Sequence, residues 1–422
     1  MAFIGTGLID YGVFPAHFKL VSELSVSVLL TFSFIVRYRS RKPYQIPYLG
    51  LWASLFFIAL ISCLVNGYFN FRSISSLRFI FRYYLLFVAL VNLEIEDKLF
   101  RKINKFLLVL FILQLPVVAY KFTIWGVSER TIGSYAARGG GLTTMIPVVM
   151  VSFFISYYYF FERSKWYIFL ALCFILWGVV GAKAALFFIF PINFLGLYYL
   201  LWIKNEGFKL RDLKNLGIVG TCAACLMGLF LYAQPRLNPD REAGGKIDFS
   251  YALEYAQDYE TGTHYMDERI GTGRVATTLL SIKQLINDGS SKVLFGYGSG
   301  ILTPAPFGKD KNYDSRVYLI SNSYGITGMV YIWVEYGIFG VLIFCLIFLS
   351  YFKLCWRWHK GEEDKYYKAF SAGATVFCIL NLFIFLSYNR LPVADDTLLP
   401  VFYYSMALAQ HRHFRGKFDH TR

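Results

Sequence analysis

The sequence predicts an all-α integral membrane protein with about eleven membrane-crossing helices and one large loop subdomain. Three observations carry that prediction. Of the 422 residues, 56% are hydrophobic and only 16% are charged, whereas a soluble chain is roughly 25% charged. Apolar runs recur along the chain at lengths that suit helices crossing a bilayer. Basic residues gather in every second short loop between those runs, which marks these loops as cytoplasmic.

Composition excludes several other classes. Aromatic residues make up 19% of the chain, so it is not a disordered polymer. The net charge of +15 is spread over short loops rather than held in one patch. Membrane lipids, and not nucleic acid, are therefore the expected surroundings. Seven cysteines (Cys63, Cys173, Cys222, Cys225, Cys345, Cys355 and Cys378) lie in or beside apolar stretches. None falls in the long polar loop, which excludes a disulfide scaffold. Cys222 and Cys225 have CxxC spacing inside an apolar stretch, Gly217–Tyr232, and read as core packing.

The spans read in order are 19–36, 47–67, 79–93, 105–124, 143–160, 166–182, 184–203, 216–233, 328–352, 369–388 and 398–410. The third is short, and Arg78 and Arg82 flank or enter it; the last is short as well. Arg37, Arg39, Arg41 and Lys42 follow the first span, and Lys98, Arg101, Lys102 and Lys105 the third. Arg163 and Lys165 follow the fifth, and Lys204, Lys209, Arg211 and Lys214 the seventh. Lys353, Arg357, Lys360, Lys365 and Lys368 follow the ninth, and Arg412, Arg415, Lys417 and Arg422 the last. The alternation predicts an external N-terminus and a cytoplasmic C-terminus.

Residues 1–16 are too short and interrupted to cross. They read as a re-entrant or interfacial helix, or as the stub of a twelfth span. A basic n-region and an A-x-A site are missing, so a cleaved signal peptide is not expected. Three parts follow: residues 1–234 with eight spans, a large external loop over 235–327, and residues 328–422 with three spans and a cytoplasmic tail. Inside the loop, Val275, Leu279, Ile282, Leu285 and Ile286 have helical spacing. They predict an amphipathic helix resting on the bundle or the membrane surface, stopped at Asp288-Gly289. No internal repeat at a fixed period supports a transporter built from inverted repeats.

Cations on the predicted external side stand out because that side normally avoids them. Arg130 and Arg138 share the loop SERTIGSYAARGGGLTTMIP, Lys183 sits in WGVVGAKAALFF, and Arg274 follows Arg269 in ERIGTGRVATT. Arg390 lies in SYNRLPVADD. Lys183 has only small or apolar neighbours, so it either snorkels or faces an anion in an internal cavity. Arg138 precedes three glycines and a helix start, an arrangement able to form an anion-binding nest. Arg274 opens the amphipathic helix, where a guanidinium can grip a phosphate through two hydrogen bonds. Together they predict a polyanion site at the external membrane surface, suited to a lipid-linked diphosphate. Tyrosines enrich the long loop and offer stacking faces for sugars or anchors for the interface.

In the order of these motifs the chain resembles the bacterial O-antigen polymerase (Wzy-type) and O-antigen ligase superfamily. The resemblance runs over about residues 125–345: Arg138–Pro147, Gly181-Ala182-Lys183-Ala184, Gly271-Thr-Gly273-Arg274, Phe295–Gly300, and Glu335-Tyr336-Gly337-Ile338-Phe339-Gly340. It implies a GT-C-like membrane fold and an inverting glycosyltransferase that needs no metal or other cofactor. The implied substrates are undecaprenyl-diphosphate-linked oligosaccharides at the external face of the cytoplasmic membrane. A chain-length regulator is an implied partner.

On that reading Arg138, Lys183 and Arg274, with Arg130 nearby, hold the leaving diphosphate and stabilise its growing charge. Lys183 stands where family members commonly have Arg. Ligases carry a His before the Glu-x-Gly span; here the stretch is Ser321-Asn322-Ser323-Tyr324-Gly325-Ile326-Thr327, which favours the polymerase branch. A general base is expected to help the acceptor hydroxyl. His264, Asp267 and Glu268 are its candidates, with Glu254, Asp258 and Glu260 behind them. Glu335 is expected to pair with a cation or face the cavity, and Asp395-Asp396 to be solvated. An O-antigen-ligase-like transferase is the alternative, followed by a lipid-linked oligosaccharide flippase.

Overall fold

The structure, a computed structural model, describes residues 5–15, 18, 20–67, 69, 71–93, 95–136, 140–181, 186–204, 248–266, 269–302 and 325–419, with isolated positions between 205 and 247 and between 303 and 324. All but isolated positions of the predicted span 216–233, and much of the predicted outer loop, therefore fall outside the described residues. The described chain is helical apart from one short hairpin. Its first part comprises α1 (Gly5–Asp10), α2 (Leu20–Arg39), α3 (Leu49–Val65), α4 (Phe71–Asn92), α5 (Asp97–Ile112) and α6 (Gln114–Trp125). There follow α7 (Leu142–Ser156, prolonged by a π-turn at Tyr157–Phe161), α8 (Lys165–Val180) and α9 (Leu186–Lys204). The middle part holds α10 (Phe249–Thr261), the strands β1 (Thr263–Met266) and β2 (Arg269–Thr272), α11 (Arg274–Asn287) and α12 (Ser290–Phe295). The last part is α13 (Gly328–Gly361), α14 (Lys365–Ser387) and α15 (Leu398–Asp419).

Six segments among the described residues are long and apolar enough to cross a membrane: α2, α4, α5 with α6, α7 with its π-turn, α13 and α14. Shorter apolar helices are α3, α8 and the Ile189–Leu201 stretch of α9. Apolar length thus located most of the helices correctly, with one correction and one interruption. α4 begins at Phe71 and not near residue 79, because Ser73, Ser75 and Ser76 are buried against neighbouring helices. These hydroxyls lower the hydropathy without ending the helix. The run 105–124 lies within one membrane-length segment, Asp97–Trp125, whose helix is interrupted only at Leu113. Pro116 supplies no N–H, and its ring crowds the carbonyl of Ile112.

Contacts sort the connecting segments to two ends of the bundle. At the basic end, Arg412 binds Glu362 at 2.6 Å and Asp97 at 3.0 Å. Gln45 N–H donates to Asn92 Oδ1 at 2.8 Å there, and Tyr367 OH to the Asp97 carbonyl at 2.9 Å. At the opposite end, Ser128 N–H reaches the Val180 carbonyl at 3.0 Å and Gly328 N–H the Asn389 carbonyl at 3.0 Å. Asn66 Nδ2 donates to the Gly296 carbonyl at 2.9 Å, also at that end. Between the ends lies an aromatic core. Trp52 stacks on Tyr84 with ring centroids 4.5 Å apart and donates to Tyr351 OH at 3.1 Å. Cys355 and Cys378 pack with Met406 in the same core, their sulfurs 3.7 to 4.0 Å apart. Cys225 is exposed, and Cys222 lies outside the described residues.

α13 is broken at Gly337, whose φ of 70° is left-handed. The break frees backbone carbonyls, and the Phe295–Gly300 stretch uses them. Tyr297 N–H donates to the Val334 carbonyl at 2.8 Å and Gly298 N–H to the Glu335 carbonyl at 3.3 Å. A Cβ at Gly337 would collide with the Leu294 carbonyl, and one at Gly296 would lie 2.7 Å from the Val334 oxygen. Two glycine motifs far apart in the chain are therefore the two halves of one junction.

α11 covers the predicted amphipathic segment and stops, as predicted, at Asp288-Gly289. The predicted stripe is divided between its two faces. Thr277, Ser281 and Leu285 face the protein, whereas Val275, Leu279 and Ile286 are exposed. Small side chains let the helix approach the bundle closely, and Val275, Leu279 and Ile286 point outward.

Candidate anion-binding site

Arg274 is the first residue of α11, and its guanidinium is held from several sides. Nε donates to the Tyr388 carbonyl at 2.8 Å, and the guanidinium lies over the Tyr388 ring, 4.5 Å from its centroid. An Nη pairs with Glu260, the penultimate residue of α10. The Arg274 backbone N–H also donates to Glu260 Oε2 at 3.3 Å. Side-chain exposures of 22% for Arg274 and 32% for Glu260 leave the pair reachable from outside.

Tyr388 and Asn389 form the hub of this end. Tyr388 OH shares a 3.0 Å hydrogen bond with Thr144 Oγ1, near the start of α7. Asn389 packs so closely on Gly141 that a Cβ there would collide with its amide. A Cβ at Gly181 would likewise collide with the Thr143 methyl. Gly141 closes the glycine run after Arg138, and Gly181 precedes Lys183. The hub that anchors Arg274 thus packs on Gly141, three residues after Arg138, while Gly181, two residues before Lys183, packs one step away on Thr143 of α7.

Arg138, Lys183 and Glu268 themselves lie outside the described residues, as does Asp267. His264 is in β1, where its backbone pairs with Gly271 of β2. The hairpin closes beside Arg274 through a 3.1 Å bond from Gly273 N–H to the Gly262 carbonyl. Arg130 is exposed, with its guanidinium over the Trp125 ring at 4.4 Å. Among the described residues no contact joins Arg130 to Arg274. Arg390 is exposed on the hub loop.

Residues not singled out in the sequence shape this end too. Lys121 is buried, and its ammonium donates to the Gly133 carbonyl at 2.8 Å and the Ala136 carbonyl at 3.2 Å. Gln114 Oε1 accepts from Ser134 N–H at 2.7 Å. Both draw the 126–136 loop down onto α6, burying Ile132 and Tyr135. The signal was a lysine and a glutamine inside otherwise apolar runs.

Asp395 is buried and Asp396 is ion-paired, which corrects the expectation of two solvated carboxylates. Asp396 pairs with the buried Arg82 of α4 and accepts from Tyr83 OH at 2.9 Å. Glu23 of α2 joins them, 3.1 Å from Arg78 and 3.6 Å from Arg82. Asp395 is buried and caps α15, accepting from Thr397 N–H at 3.1 Å and also from Leu398 N–H. Burial pushes its carboxyl up to about 7, against the opposing pull of those N–H groups. Glu335 is buried in α13; it accepts from Ser76 Oγ at 2.8 Å and from Leu302 N–H at 3.2 Å. Its described bonds therefore fasten the glycine-rich segment to α4.

The described residues contain no group of three or more His, Cys, Asp or Glu side chains placed to hold a metal ion. What they do provide is one arginine anchored at a helix start, beside backbone segments that are able to approach one another because they carry glycine. Compared with known proteins, the chain matches no family model and no curated sequence.

Proposed function

We propose that the protein is a polysaccharide polymerase that joins polyprenyl-diphosphate-linked oligosaccharide repeat units. It works at the external face of a bacterial cytoplasmic membrane, with the basic end of the bundle in the cytoplasm. The fold is GT-C-like with eleven spans. Support comes chiefly from one observation: Arg274 is anchored on Tyr388, whose neighbour Asn389 packs on Gly141 just after Arg138, and the adjoining start of α7 packs through Thr143 on Gly181, just before Lys183.

In this reading the three cations, with Arg130 at the entrance, bind the donor diphosphate. An acceptor sugar hydroxyl attacks the anomeric carbon from the opposite face. The bond from that carbon to the diphosphate oxygen breaks, and its electron pair leaves with the diphosphate. The guanidinium and ammonium groups stabilise that charge without a metal. The hydroxyl proton passes to His264 or Glu268, on or beside the hairpin next to Arg274.

Two measurements test the proposal. In cells whose surface polysaccharide depends on this chain, Arg138→Ala and Arg274→Ala should each abolish polymer and leave single repeat units, at normal protein levels. Polymer of unchanged length in both variants would remove the proposed site. Purified protein given a polyprenyl-diphosphate repeat unit and a chelator should produce a ladder of lengths; a product that appears only with a different acceptor would indicate a ligase.

A further inference from the structure

Building on the assignment of Arg274 to the donor diphosphate, we infer that Glu260 is the exchange partner of that diphosphate. It occupies Arg274 in the empty protein, leaves when the donor enters, and returns as the polyprenyl diphosphate product departs.

Both oxygens of the Glu260 carboxylate are in use. One pairs with an Arg274 Nη and the other accepts the Arg274 backbone N–H at 3.3 Å. A guanidinium and a backbone N–H at a helix start are also the donors that hold a phosphate oxygen. The carboxylate thus stands where an anionic ligand of Arg274 would bind.

Arg274 does not depend on Glu260 for its position. Its Nε is committed to the Tyr388 carbonyl at 2.8 Å, and its plane lies on the Tyr388 ring. Nor does the backbone depend on the ion pair. The end of α10 is tied to the start of α11 by the bond from Gly273 N–H to the Gly262 carbonyl, and Gly262 N–H is bonded to the Asp258 carbonyl at 2.7 Å. Rotation of the Glu260 side chain therefore frees the Nη groups without moving either helix. Partial exposure of both side chains gives an entering anion access to them.

A diphosphate carries more negative charge than one carboxylate and spreads it over more acceptors, so it displaces Glu260. The cost appears as a weaker apparent affinity, since only the fraction of molecules with Glu260 turned away is competent to bind. That cost is useful after transfer. The polyprenyl diphosphate left behind still faces the cations that stabilised it, and a carboxylate poised to reclaim Arg274 speeds its release. A residue that merely braced Arg274 would have the opposite effect, because its removal would loosen the binding site.

The experiment measures equilibrium binding and dissociation of undecaprenyl diphosphate on the full chain in lipid nanodiscs. For a partly exposed ion pair, Glu260→Gln should bind roughly five-fold tighter than wild type and release the lipid more slowly. Glu260→Ala should shift in the same direction, and Arg274→Gln should lose most binding. In polymerisation assays, added undecaprenyl diphosphate should inhibit Glu260→Gln at roughly five-fold lower concentration. If Arg274→Gln loses binding while both Glu260 variants bind equally to or more weakly than wild type, Glu260 is a brace and the inference is overturned alone. If Arg274→Gln binds as wild type does, the diphosphate site itself falls, and the inference with it.

Discussion

Asp395 carries the clearest titration outside the spans. Its carboxyl is raised from 3.8 to about 7 by burial, so the folded protein binds a proton more tightly than the unfolded chain does. The resulting stability is complete below about pH 4 and is lost as pH rises through about 7. Asparagine keeps the capping oxygen but cannot ionise. Asp395→Asn should therefore flatten this part of the pH dependence, seen as a smaller fall in thermal midpoint between pH 5 and pH 8. Asp395→Ala should lose the cap of α15, a cost of about 1 kcal/mol. At this scale the sequence was only partly legible. Arg274 announced itself by its glycine-rich setting, whereas the acidic pair looked like any loop carboxylates. Nothing local in SYNRLPVADD tells that Asp396 will meet Arg82, 314 positions away in the chain.

Helices follow from apolar length, but their interruptions follow from single residues. Pro116 accompanies the one-residue interruption at Leu113 inside one predicted span, and Gly337 breaks another. The order of the Phe295–Gly300 and Gly337 motifs is visible in the sequence; that they bond to each other is visible only in the fold. Gly337→Ala should be tolerated poorly, since alanine disfavours the left-handed angle and its Cβ meets the Leu294 backbone. The expected loss exceeds about 1 kcal/mol and is read as a lower thermal midpoint in detergent. Gly50 has a negative φ and open space around its Cβ position, so Gly50→Ala should leave the midpoint nearly unchanged. α11 shows the limit of periodicity. Its apolar stripe was visible in the sequence, but the face turned toward the bundle is chosen by close approach, which favours Thr277 and Ser281 over larger side chains.

For the whole molecule, the alternation of basic and non-basic loops anticipated the sorting of segments to two ends. Orientation can be tested directly. With native cysteines replaced by serine, Ser40→Cys at the basic end should resist a membrane-impermeant maleimide applied to intact cells stripped of any outer barrier. Ser290→Cys at the opposite end should react; both positions are exposed. The reverse pattern would invert the proposed topology. Convergence of the hub was not legible, because it arises from glycine-mediated approaches between α7, α8 and the 388–391 loop rather than from any motif.

The junction at Gly337 also sets an order for biosynthesis. Ser62 donates to the Glu335 carbonyl across 273 positions, and Ser76 to the Glu335 carboxylate across 259. α3 and α4 leave the ribosome long before α13 exists, so these hydroxyls wait in the nascent protein for partners not yet made. The glycine-rich segment is translated just ahead of α13 and meets it almost at once. Assembly of the bundle is therefore completed from its C-terminal third, and chains halted before α13 should be recognised by membrane quality control as unfinished.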